Sequence, residues 1–87
     1  MILRTSLGKE YNVNWCAVSS IDGCLRFEIT DITFIDAFNV FGNSDETFLI
    51  TLYIDDVNFR EYSGYTKLIG VNGNENITVS LIKENNE

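Results

Sequence analysis

The side chains in this sequence best placed for acid–base chemistry are carboxylates. Asp55 and Asp56 are adjacent, and Glu61 follows within the same stretch. Such a set is what a paired acid/base mechanism or a Ca²⁺ or Mg²⁺ site draws on. The structural alternative weighs more, because Asp and Asn populate hairpin turns by bonding their own backbone. Asp55-Asp56-Val57-Asn58 reads as such a turn. Histidine is absent, which removes the usual base near neutral pH and the commonest metal ligand. A serine or cysteine nucleophile then lacks its ordinary partner. Lys9, Lys67 and Lys83 sit in no supporting motif. Cys16 and Cys24 supply too few soft ligands for structural zinc, and the chain has no P-loop, GxGxxG, EF-hand or CxxC spacing. The expectation is a non-enzymatic protein with no catalytic residues, no metal and no cofactor.

Binding is better served. In Arg60-Glu61-Tyr62-Ser63-Gly64-Tyr65, Arg60 and Tyr62 share one face of an alternating strand until Gly64 breaks the pattern. Tyrosine combines an apolar body with a polar tip and is favoured at protein interfaces. A hairpin turn at Asp55–Asn58 would bring Tyr53 near Tyr62 and Tyr65. Ringed by Asp55, Asp56 and Glu61, the three tyrosines would form an acidic, aromatic docking patch suited to a basic partner surface. The alternative is that Tyr62 or Tyr65 packs over the sheet edge. Asp45 and Glu46, in a polar loop, join Arg60 in the candidate set.

The charge balance agrees with a protein partner. Thirteen acidic residues face six basic ones, for a net charge of −7. That excess repels nucleic acid and anionic lipid and keeps a small domain soluble. Nine of the acids (Asp22, Asp31, Asp45, Glu46, Asp55, Asp56, Glu75, Glu84 and Glu87) fall in turns, loops, a helix cap or the tail. Local structure and solubility therefore account for most of the charge.

The elements that must position these residues are mostly strands. The 87 residues make one domain: a β-rich body over 1–83 and an acidic, frayed tail over 84–87. An apolar content of 45% places the chain among globular proteins. Ile2–Thr5 is a first short strand. Tyr11, Val13, Trp15 and Ala17 alternate with polar neighbours, as do Leu25, Phe27 and Ile29. From Asp31 to Phe41 the period changes: Phe34, Phe38 and Phe41 lie on one helical face beside Ile35, with Thr30 or Asp31 as cap. Thr47–Ile54, Phe59–Val71 (interrupted at Ser63-Gly64) and Ile77–Lys83 are strands, the last two joined by the turn Asn72–Asn76. The order β-β-β-α-β-β-β predicts a mostly β, α+β fold. Two antiparallel three-stranded meanders form a sheet or partly open barrel with one helix packed on it. The turn between Cys16 and Cys24 puts Ser19 or Ile21 opposite Cys24, so the thiols are expected free. The chain has neither a signal-peptide core nor an apolar run of about 20 residues. The expected location is the host cytoplasm or a virion.

The phrases LRTSLGKEYNVNWC, SSIDGCLRFEI and GYTKLIGV, at Leu3–Cys16, Ser19–Ile29 and Gly64–Val71, resemble small uncharacterised phage and prophage proteins of Gram-positive bacteria. The resemblance implies phage origin, often near virion or tail genes, and brings no catalytic motif. The first expectation is a protein–protein interaction component, such as a small tail or virion-associated protein. Its first or last strand would add to a neighbour's sheet or pack in a homo-oligomer. A second is an acidic, anti-CRISPR-like inhibitor that occupies a basic groove of a host defence protein, with Asp45, Glu46, Asp55, Asp56 and Glu61 as the charge mimic. A third is a sponge for a small signalling molecule.

Overall fold

The computed structural model describes residues 1–43, 46, 48–73 and 75–83. Asp45 and the expected tail, 84–87, lie outside them. The elements run β1 (Ile2–Thr5), β2 (Glu10–Val18), β3 (Leu25–Ile29), α1 (Phe34–Phe41), β4 (Leu49–Tyr53), β5 (Phe59–Ser63), β6 (Lys67–Asn72) and β7 (Ile77–Ile82). The fold is mostly β with one helix, as the alternation predicts. All strands join one antiparallel sheet in the order β5-β4-β1-β2-β3-β7-β6, which does not close into a barrel. No helix among the described residues is long and apolar enough to cross a membrane.

The expected second meander is divided. Phe59–Val71 is two strands, and Gly64, at φ +81°, turns the chain between them. A side chain there would be strained, so glycine permits the break. The β4–β5 hairpin pairs on β1 and the β6–β7 hairpin pairs on β3, flanking the central β1-β2-β3 meander. The sheet edges are therefore β5 and β6, joined by only Gly64-Tyr65-Thr66. The first and last strands, expected at the edges, are both interior: β1 lies between β4 and β2, and β7 between β3 and β6. Gly73, at φ +114°, closes the β6–β7 turn against the Asn76 carbonyl, where a Cβ would collide.

Strand β2 carries a bulge. Val13 pairs with Ile29, but Trp15 pairs with Glu28, which leaves Asn14 as an extra residue. One inserted residue reverses the alternation. Cys16 consequently pairs with buried Phe27, whereas Trp15, expected in line with Val13, is exposed. Cys24 is buried, its carbonyl accepts from Ser19 N–H at 2.9 Å, and both thiols are free.

The inward faces supply Leu3, Val13, Leu25, Phe27, Ile29, Ile50 and Val79, all buried. Helix α1 lies against β6 and β7. Its cap is Thr33, later than the expected Thr30 or Asp31; the Thr33 hydroxyl accepts from Asp36 N–H at 3.2 Å. The buried helix residues are Ala37 and Phe41. The Phe41 ring meets Phe27 edge-on at 5.1 Å and Tyr11 at 5.5 Å. Phe38 and Ile35 are 53% and 70% exposed, and Phe34 is exposed as well. The triplet Phe34/Phe38/Phe41 is thus not one core face: Phe41 packs down and the other two remain outside.

Candidate functional site

Strand pairing builds the outer face of β1, β4 and β5 into two rows. Phe59 pairs with Tyr53, Tyr53 with Ile2, and Ile2 with Asn12. In the second row Glu61 pairs with Thr51, Thr51 with Arg4, and Arg4 with Glu10. The first row is aromatic and apolar, the second charged. Arg4 ties them together: its guanidinium lies 5.2 Å from the centre of the Tyr53 ring, and its Nε donates to Glu10 Oε2 at 3.0 Å. The Tyr53 and Phe59 rings are 6.1 Å apart. Phe59 is 55% exposed, and Ile2, Ile54 and Met1 are exposed beside it. A groove of about 390 Å³ between Arg4, Tyr53, Asp55 and Asp56 completes the surface.

The turn at the end of this face is held by its own carboxylate. Asp55 Oδ1 accepts from Val57 N–H and Asn58 N–H, both at 2.8 Å, and Oδ2 accepts from the Asn58 amide at 2.8 Å. The Asn58 side-chain bond, then the two backbone bonds, hold the Asp55 carboxyl below its ordinary value. Asp55 therefore shapes the tip, as the turn reading expects. Asp56 is exposed, and Val57, 82% exposed, is the most prominent apolar residue of the turn.

The expected tyrosine cluster separates. Tyr53 is on the outer face. Tyr62 and Tyr65 meet edge-on at 6.1 Å, Tyr65 buried and Tyr62 half-buried against the core. Alternation explains the split: Tyr62 pairs with buried Ile50 and so faces inward. Arg60 and Tyr62 do share a face, and both interact with the Cys16 thiol of β2. Burial, offset in part by the Tyr62 hydrogen bond and the Arg60 charge, raises the Cys16 thiol above its ordinary value. Burial likewise raises Tyr62.

Glu46 is not a solvated loop acid. It is 2% exposed, and Lys9 Nζ stands 3.1 Å from its Oε1. Its carbonyl accepts from Ser6 N–H at 3.3 Å and from the Ser6 hydroxyl at 3.2 Å. Lys9 and Tyr11 also line a cleft of about 750 Å³ beside α1, with Asp31, Thr33 and Asp36. Burial, then Glu46, Asp31 and Asp36, raise the Tyr11 hydroxyl. Asp31 is engaged by Asn12 (N–H 3.3 Å, amide 3.2 Å), and Thr33 is the helix cap. No three His, Cys, Asp or Glu side chains converge among the described residues as a metal site.

A third depression, about 680 Å³, lies at the other flank of the helix. Phe38, Gly42, Leu68, Ile82 and Thr66 line it together with Lys67 and Lys83.

The sequence reading names Tyr53, Asp55, Asp56 and Glu61 but misses Ile2, Arg4 and Phe59. The turn that places Tyr53 opposite Phe59 carries the signal for Phe59. Nothing local predicts that Arg4 stacks on Tyr53, because that contact depends on β4 joining β1 rather than starting a separate meander. Fold and surface together define an open, curled antiparallel sheet braced by one helix, with a mixed aromatic and charged outer face. The chain matches no protein-family model, no curated protein and no solved structure.

Proposed function

We propose that this chain works by binding another protein, through the outer face of β1, β4 and β5 and the free edge of β5. The observation that carries the reading is the Phe59–Tyr53–Ile2 row beside an unpaired edge. Among the described residues strand β5 pairs only with β4, and its register is regular throughout. At the other edge, β6 carries a register shift between Leu68 and Gly70 and is packed by α1. Bulges and covering elements blunt an edge, whereas a regular one accepts an added strand. Exposed aromatics flanked by charge are the composition of a binding surface. Asp56 and Glu61 favour a basic partner.

The reading extends the expected phage origin: the partner would be a component of a phage particle, such as a tail protein. The charge-mimic alternative, an anti-CRISPR-like inhibitor, loses support because Glu46 is buried on Lys9 and Asp55 is committed to its turn. The sponge alternative needs convergent donors, and the groove shared by Lys67 and Lys83 is lined as much by Phe38, Leu68 and Ile82.

The test is incorporation into virions. The tagged wild-type chain is expected to copurify with particles, and Phe59→Lys to reduce its occupancy at least tenfold. Glu28→Gln, on β3, should leave it unchanged. A folded wild-type chain that stays monomeric and never copurifies would overturn the reading.

A further inference from the structure

We propose that the protein self-associates head to tail, the β4–β5 turn of one copy seating in the Lys67/Lys83 groove of the next. This rests on the reading of the β4–β5 hairpin as a binding element and names its partner as a second copy.

Of the three depressions described above, this one brings two lysines together with apolar side chains. Phe38, Leu68 and Ile82 line it together with Lys67 and Lys83, whose side chains are exposed. Lys83 Nζ lies 5.2 Å from the centre of the Tyr65 ring, a cation–π contact that holds the ammonium beside the groove. The ion pairs among the described residues join Arg4 to Glu10, Lys9 to Glu46 and Arg26 to Asp22. Neither Lys67 nor Lys83 takes part in one. In a chain of net charge −7, two basic side chains at an apolar opening select an occupant that is acidic and apolar together.

The β4–β5 turn has that chemistry. Val57 is the protruding apolar residue, with Ile54 and Phe59 exposed at its base. Asp56 stands next to Val57 with its carboxylate exposed, and the Asp55 bonds hold the turn in one conformation. A rigid plug loses little entropy on docking. Turn and groove lie toward opposite ends of β5: Phe59 adjoins the turn, and Ser63 leads through residues 64–66 to Lys67. Four steps at ~3.3 Å put roughly 13 Å between the strand ends alone. The plug is therefore offered to a neighbour and not to its own groove. Plug and groove are different surfaces, so the contact is heterologous and each copy keeps one free plug and one free groove. Such contacts propagate into rings or filaments.

Sedimentation velocity over a concentration series, with circular dichroism as a folding control, tests the pairing. Wild-type protein is expected to form species beyond the dimer, weakened at least tenfold at high salt. Asp56→Lys and Lys67→Glu/Lys83→Glu should each sediment as monomers. Mixed together they should assemble again as alternating copies, because the reversed plug of one fits the reversed groove of the other and the unreversed plug of the second fits the unreversed groove of the first. Val57→Glu, at an exposed site that perturbs no core contact, should also be monomeric. A wild-type chain that is monomeric throughout, or assembly that survives all three variants, overturns the inference. Virion incorporation by a monomeric wild-type chain would sink self-association and leave the proposed function standing. Loss of both would sink both.

Discussion

Lys9 Nζ lies 3.1 Å from Oε1 of Glu46, a carboxylate withdrawn almost completely from solvent. Oε1 has no hydrogen-bond partner in the described structure, so the contact is an ion pair. The charge of the half-exposed lysine is what offsets the burial of the carboxylate. Removing it leaves the carboxylate desolvated and unpaired. Lys9→Met is expected to cost about 1–2 kcal/mol, less than for a fully buried pair because water screens the lysine. Glu46→Gln keeps the shape without the charge and should cost under about 1 kcal/mol. Lys9→Met/Glu46→Gln should cost less than the sum of the two. Urea unfolding of the four proteins measures this. A neutral Lys9→Met would show that the pair does not support Glu46.

Beside this pair, Thr5 Oγ1 is buried and hydrogen-bonded to nothing in the described structure. A buried hydroxyl without a partner has lost its water and gained nothing in return. Thr5→Val keeps the volume and removes the polar atom. We expect stabilisation of about 1 kcal/mol in urea unfolding. A destabilised Thr5→Val would mean the hydroxyl has a partner.

The limits of reading this chain from its sequence follow from particular residues. Period-two alternation places the strand segments, although it reads β5 and β6 as one interrupted strand. It fails at Asn14, where a one-residue bulge sends Trp15 out and brings Cys16 opposite Phe27. It cannot show that Gly64 separates two strands that end on opposite edges. That depends on which hairpin the β1-β2-β3 meander accepts on each side, a long-range choice with no local signature. The Asp55 turn is legible because its bonds are local. The Tyr53/Tyr62/Tyr65 cluster is not, because Tyr53 and Tyr62 fall on opposite faces of the β4–β5 hairpin. Lys9–Glu46 joins residues 37 apart in sequence, and each alone reads as surface charge.

The two thiols should be protected in the native state. Cys24 is fully buried, and burial holds the Cys16 thiol protonated above its ordinary value. Since the thiolate is the reactive form, neither should react with Ellman's reagent within minutes at about pH 8. Both should react at once in guanidinium chloride. Fast native modification of Cys16 would contradict its packing between Tyr62 and the sheet.

Acid should weaken the turns before the core. The Asp55 carboxyl is lowered chiefly by its Asn58 side-chain bond, and that of Asp22 chiefly by the Cys24 N–H at 2.9 Å. A carboxylate whose folded pKa is depressed contributes stability that is complete above its unfolded value, here 3.8. That contribution is lost as pH falls through the depressed value. Urea midpoints should hold down to about pH 4.5 and fall below it. Asp55→Asn keeps the acceptor without the charge and should flatten part of that fall. An unchanged slope would remove Asp55 from the acid response.

Phe38 and Phe41 test how the helix is held. They are three residues apart and chemically identical, yet Phe41 is fully buried between Phe27 and Tyr11 while Phe38 is half exposed. Phe41→Ala removes a ring from the junction of helix and sheet and leaves a cavity, an expected loss of about 3–5 kcal/mol. Phe38→Ala should stay within about 1 kcal/mol, because its ring is not enclosed. Denaturant unfolding separates the two. If α1 also depends on Phe41 to dock, amide exchange across Phe34–Phe41 should accelerate in Phe41→Ala more than in β3. Equal costs for the two substitutions would mean the helix packs through the Phe34–Phe38 side instead, and that side would then be unavailable as a wall of the Lys67/Lys83 groove.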